Sequence, residues 1–113
     1  MFDLTKPKWI IQDNELRIGN VVNHADLAKE NEFGGTPNVK GGGYWHWDRD
    51  VNVLYLFGKS IQYGQVSLED FEDIWIMSPS LEKSTIYFSL SDSLQTAKAN
   101  NYLIQDLNEG EVI

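Results

Sequence analysis

The run Val53-Leu54-Tyr55-Leu56-Phe57 is the feature that most restricts what this chain can become. Five apolar or aromatic residues closed by Gly58 are too few for a core helix and suit a strand. Neither face of the run is polar, so the strand is expected at the centre of a sheet, covered on both sides. A central strand requires neighbours. Tyr44-Trp45-His46-Trp47-Asp48 supplies one, with Tyr44, His46 and Asp48 alternating to one face and Trp45 and Trp47 to the other. The turn-rich stretch Asp48–Asn52 joins the two, which predicts an antiparallel hairpin.

The flanking segments extend the same architecture. Trp9–Gln12 is apolar, Asp13-Asn14 is a turn dipeptide, and Leu16–Val22 alternates again, which reads as a second hairpin. Asn23 is a suitable N-cap for a short helix over His24–Glu30, and Asn31–Asn38, with Gly34, Gly35 and Pro37, is a loop. Gly41-Gly42-Gly43 opens the long strand Val39–Asp48, where a residue without Cβ permits strong twist or close backbone approach.

Beyond the glycine-bounded loop Gly58–Gly64, Ser67-Leu68-Glu69-Asp70 is a near capping box. Leu68, Phe71, Ile74 and Trp75 fall on one helical stripe, so a second helix is predicted over Ser67–Met77, stopped by Ser78-Pro79. Thr85–Leu90 reads as a further strand. In the extension 91–113, Leu94–Ala99 suits a helix and Tyr102–Leu107 a strand or a packed extension. Trp45, Trp47 and Trp75 are expected in the core. The predicted fold is one α+β domain over 1–113, a mixed, largely antiparallel sheet packed with two short α-helices.

Charge and composition exclude several functions. The net charge of −8 opposes nucleic-acid binding, which needs a basic stripe to displace counterions. That charge is uneven: residues 1–60 carry seven Lys/Arg against eight Asp/Glu, and residues 61–113 carry two against nine. The first half is therefore the part compatible with an anion. With no cysteine, disulfides, thiolate metal sites and cysteine nucleophiles are ruled out. No apolar run nears the ~18 residues of a membrane span, and Met1–Asp13 lacks the apolar core of a signal peptide, so a cytoplasmic location is the default expectation.

Three segments carry chemistry: His24-Ala25-Asp26, Gly41-Gly42-Gly43, and Gly58-Lys59-Ser60-Ile61-Gln62-Tyr63-Gly64. Together, over roughly residues 15–90, they resemble the phosphohistidine phosphatase (Janus/Ocnus) family, whose His-Ala-Asp and Gly-x-Ser-x-x-Tyr-Gly motifs match in order. The resemblance implies that His24 is catalytic, as a base for water or as the nucleophile at phosphorus. It implies that Ser60 and the amides of Ile61 and Gln62 cradle the phosphate, with Ala25 beside the histidine. Arg17 resembles the family's cationic strand residue. Tyr44 stands where an arginine usually follows the triple glycine, and it joins the binding set here.

The residues are consistent with that chemistry on their own terms. A loop bounded by glycines can aim successive N–H groups at one anion, and histidine is the side chain best suited to move a proton near neutral pH. The reading is a pocket of Arg17, His24, Ala25, Tyr44, Ser60, Ile61 and Gln62 that takes a small anion or a phosphorylated protein. Neither metal nor cofactor is called for. A competing grouping, His24-Ala25-Asp26 with His46-Trp47-Asp48, contains metal-ligand types, but its spacing sets no coordination geometry. The alternative from another class is a non-catalytic binding or interaction domain on the same fold. Oligomeric state is left open.

Overall fold

The computed structural model describes residues 4–72, 74–76 and 84–105. These form an α+β domain built on one seven-stranded mixed sheet. The strands are β1 (Lys6–Gln12), β2 (Glu15–Val21), β3 (Val39–Asp48), β4 (Val53–Phe57), β5 (Trp75–Ile76), β6 (Thr85–Phe88) and β7 (Tyr102–Gln105), in the order β5-β2-β1-β3-β4-β6-β7. Four pairings are antiparallel, and two, β2 with β5 and β4 with β6, are parallel.

Both predicted hairpins form. Asp13 and Asn14 close the first with φ of 52° and 63°, the left-handed pair of a type I′ turn, which matches the twist of the strands it joins. The second pairs Trp45 with Leu56 and Trp47 with Leu54, so the alternation read in the sequence places both tryptophans on the core side. That side gathers Trp9, Ile11, Leu16, Leu54, Leu56, Ile86 and Phe88 from four strands. Val66 and Phe71, from the crossover between β4 and β6, cover them. Phe71 meets Phe88 at 4.7 Å between centroids and Trp9 at 5.9 Å, within the range of favourable aromatic pairs.

The opposite face of β4 carries Tyr55 and Phe57 and is only half-buried. Helix α1 (Leu94–Ala99) packs there through Ala97, and Lys98 reaches to 5.8 Å from the Tyr55 ring. Ser93 caps this helix by accepting from the Thr96 amide, which explains why the local reading of Leu94–Ala99 held.

The two helices expected elsewhere are shorter than predicted. At His24–Leu27 the chain makes a single 3-10 turn. Asp26 accepts from the Asn23 amide at its start, but Ala28 bonds back only to Ala25. The Lys29 amide, which an α-helix would also direct at Ala25, donates instead to the buried side chain of Gln12 at 2.7 Å. Gln12 further donates to the carbonyls of Lys29 and Pro37, so a strand residue pulls the chain out of helix and pins the 29–37 loop.

At Ser67 the capping interaction forms, with Asp70 accepting from the Ser67 amide, yet the turn is again 3-10 and spans only Leu68–Phe71. Ile74-Trp75-Ile76 favours extended backbone, and the Trp75 amide donates to Asn14 at 2.9 Å, adding β5 to the sheet edge. Consequently Trp75 is about half exposed rather than core, and Leu68 is exposed too. Met77, the predicted helix end, lies outside the described residues. Among those residues α1 is the one α-helix, where two α-helices were expected before it.

The three glycines are buried and their space is occupied. A Cβ at Gly42 would sit 2.2 Å from the Trp9 carbonyl oxygen, and one at Gly43 would sit 2.1 Å from that of Phe57. Gly41 adds a φ of +151° at the irregularity where β3 slips register against β1. Close backbone approach is therefore the reason for glycine here, and it draws β1, β3 and the end of β4 together beneath His24.

Candidate functional site

A cavity of about 270 Å³ opens where these elements meet, lined by Lys8, Asn23, His24, Tyr44, Ile61 and Gln62. Four of the seven residues read from the sequence as the binding set are thus brought together: His24, Tyr44, Ile61 and Gln62. Lys8 and Asn23 are additions, and Arg17, Ala25 and Ser60 lie outside the lining.

His24 opens the first 3-10 turn and is 6% exposed. Its Nε2 lies 2.8 Å from the Gly43 carbonyl oxygen, which can only accept, so Nε2 carries the proton. Cδ2 also faces β3, lying 3.1 Å from the Cβ position of Gly42. The Cδ2–Nε2 edge is turned to the strand, and Nδ1, opposite that edge of the ring, keeps its lone pair on the far side. Removal from water, aided by the positive charge of Lys8, holds the imidazole below its usual titration range, with the Gly43 contact opposing. The histidine is thus neutral near pH 7, with one nitrogen fixed as donor and the other available as base or nucleophile.

Lys8 comes from β1, paired with Tyr44 across the strands, and its ammonium donates to the Val22 carbonyl. A lysine has three N–H donors, so two remain for a ligand. Among the described residues lining the cavity it is the one full cation.

The loop after β4 is closed by its own backbone. Ser60 and Gly64 exchange two amide–carbonyl bonds, at 3.1 and 2.8 Å, and the Tyr63 amide donates to the Ser60 hydroxyl at 3.0 Å. The Tyr63 hydroxyl and Thr36 bond at 2.6 Å, tying the loop to the 29–37 segment. Among the described residues no group takes up the amides of Ile61 and Gln62, which sit at the exposed tip. Ser60 is buried and acts as the pin that closes the loop, while Ile61 and Gln62 at its tip line the cavity.

Arg17 takes a different role from the one expected. Its guanidinium donates to Glu15 at 3.1 Å and to the Leu27 carbonyl, holding the 3-10 turn against β2. Ala25 supports the same turn, its carbonyl accepting from Ala28.

The strand alternation itself could have identified Lys8. It pairs with Tyr44 once β1 and β3 are adjacent, but the spatial order of the strands is not written in local periodicity. His46 and Asp48 lie on the His24 side of β3, against Tyr55 and Val53. No group of three His, Cys, Asp or Glu side chains converges among the described residues.

Comparison with protein-family models, with curated protein sequences and with solved structures returned no match for this chain. No helix among the described residues is long and apolar enough to cross a membrane.

Proposed function

We propose that this domain is phosphohistidine-phosphatase-like: a binder of phosphate-bearing ligands that hydrolyses a phosphoramidate, with His24 as the reacting side chain. The observation that carries this reading is that one cavity is lined by His24, with its imidazole oriented by Gly43, by Lys8, and by Ile61 and Gln62, whose amides have no partner among the described residues. The lysine and the amides complement an anion, and together they cover both the charge and the hydrogen-bonding valence of phosphoryl oxygens.

In the proposed reaction the Nδ1 lone pair of His24 takes a proton from water as the water oxygen bonds to phosphorus. The phosphorus–nitrogen bond breaks, and the proton passes from His24 to the departing nitrogen. Lys8 and the tip amides offset the charge gathering on the phosphoryl oxygens. A histidine held neutral suits this role, because a protonated ring would repel the proton it must accept.

The second reading, a non-catalytic anion-binding domain, has its own support. Arg17 is committed to Glu15 and Leu27, and Tyr44 brings no charge, so Lys8 is the one full cation among the described residues lining the cavity. Two measurements separate the readings. Inorganic phosphate is expected to shift the amide resonances of His24, Ile61 and Gln62, and silence there removes the anion site altogether. Replacing His24→Ala is expected to abolish phosphoramidate hydrolysis while phosphate still binds. Hydrolysis that persists in the variant refutes the role of His24, and no hydrolysis by the unaltered protein favours the second reading.

A further inference from the structure

We infer that the groove between the Leu68–Phe71 turn and the edge of β7 docks an extended basic peptide of another protein, one whose groove-facing side chains combine an apolar residue with lysine or arginine. The groove has a volume of about 430 Å³ and is lined by Leu68, Glu69, Phe71, Glu72, Leu103 and Ile104, none of which lines the His24 cavity.

Three features of the groove point to that occupant. The first is its apolar lining. Phe71 belongs to the core and Ile104 packs against it, while Leu68 and Leu103 are 42% and 52% exposed. Apolar area left in water in this way gains from being covered.

The second is the sheet edge. β7 ends the seven-stranded sheet, and among the described residues no strand lies on its far side. Its sequence Tyr102-Leu103-Ile104-Gln105 contains neither a charged residue nor a proline, the usual means by which an edge refuses another strand. An extended peptide can pair its backbone with such an edge, and every second side chain then falls on the groove side.

The third is charge. Asp70 is occupied, by the Ser67 amide and hydroxyl and by Lys40 at 3.9 Å. Glu69 and Glu72 line the groove instead, and among the described residues neither has an ion-pair partner. Carboxylates beside an apolar groove select a partner that is apolar and cationic at once. A second copy of this chain is a poor match, since it would bring the same carboxylates and a net charge of −8.

The test is fluorescence anisotropy on the full chain with a labelled, end-capped peptide, Thr-Lys-Thr-Leu-Thr-Lys-Thr, whose alternate side chains are lysine, leucine and lysine. Saturable binding is expected, with amide shifts at Glu72, Leu103 and Ile104. Glu69→Gln combined with Glu72→Gln should weaken it roughly two- to tenfold, the worth of two exposed ion pairs. Glu30→Gln combined with Asp50→Asn removes the same charge from exposed positions elsewhere and should change it little. Leu68→Ser, at an exposed position that does not endanger the fold, should cost roughly two- to fivefold. Successive amides of a strand point to opposite sides, so methylating one alternate set of peptide nitrogens should abolish binding and methylating the other should not. Equal tolerance of both sets overturns strand addition. Equal losses from the two double variants reduce the effect to net charge and overturn the groove. Shifts confined to another surface, or no saturation, overturn the site outright. Self-association without the peptide, with shifts at Leu103 and Ile104, would make the occupant a second copy and overturn the stated partner.

Discussion

Replacing Gly42 by alanine probes the contact that brings the fold and the candidate site together. The added Cβ would lie 2.2 Å from the Trp9 carbonyl oxygen, where contacts under 3.0 Å are essentially never found, so β1 and β3 must separate locally by at least the difference, 0.8 Å. The other two neighbours, Ile10 Cγ2 and His24 Cδ2, are each at 3.1 Å and leave no slack. Opening by that amount stretches an amide–carbonyl bond from ~2.9 Å to ~3.7 Å, beyond hydrogen-bonding distance. Two ladder bonds at about 1 kcal/mol each, with an overpacking cost of about 1–3 kcal/mol, give a loss of about 3–5 kcal/mol. A small domain has only about 5–15 kcal/mol to lose. In urea, with a slope of ~1.5 kcal/mol/M, the midpoint should fall by ~2–3 M.

Tryptophan fluorescence reports the transition directly, since Trp9 is fully buried at the point of the clash. Gly34→Ala is the matched control. A Cβ there meets nothing within 4 Å and suffers only from a φ of +81°, a penalty of about 1–2 kcal/mol. The two substitutions are chemically identical and differ in whether space or backbone twist is at stake. If the Gly42→Ala midpoint matches that of Gly34→Ala, the close-approach account of the triple glycine is wrong.

Two further outcomes follow from the site. The folded protein holds His24 below its ordinary value of 6.5, so between that value and the folded one the unfolded chain binds more protons. Stability should therefore decline as pH drops below 6.5 and level off beneath the folded value, and His24→Gln should flatten that decline; parallel urea midpoints across pH 5–8 for both proteins would refute it. Lys8→Gln should weaken phosphate binding by about 1.5 kcal/mol, roughly tenfold, by removing a charge-assisted bond. Arg17→Gln should leave it within about twofold, since a paired charge outside the cavity is screened. Isothermal titration of both variants checks this, and a larger effect from Arg17 would return that residue to the site.

Much of the sheet was legible in the sequence. Alternation along Leu16–Val22 and Tyr44–Asp48, the apolar run Val53–Phe57 and two turn signals were enough for both hairpins, because in a hairpin the strands, turn and register are set by neighbouring residues. The capped helix Leu94–Ala99 was legible for the same reason. At Ser67 the capping interaction was read correctly but the helix beyond it was not. Burying Phe71 on the sheet and pairing Trp75 with Asn14 at its edge compete with helical hydrogen bonds, and no local window contains that competition.

The site divides along the same line. In the sequence, His24 and Tyr44 were marked by the resemblance to the phosphohistidine phosphatase family, and the loop tip at Ile61 and Gln62 also by the glycines that bound it, a local pattern. The reason for three glycines before Tyr44 was open in the sequence between twist and close backbone approach, and the Trp9 and Phe57 carbonyls decide for close approach. Only the tertiary structure decided which cation serves the cavity. Lys8 reaches it because β1 pairs with β3, while Arg17 on β2 is claimed by Glu15 and Leu27. Strand neighbours are settled by burial of the whole sheet, so a charge's partner depends on which strand comes to lie beside it and not on its distance along the chain.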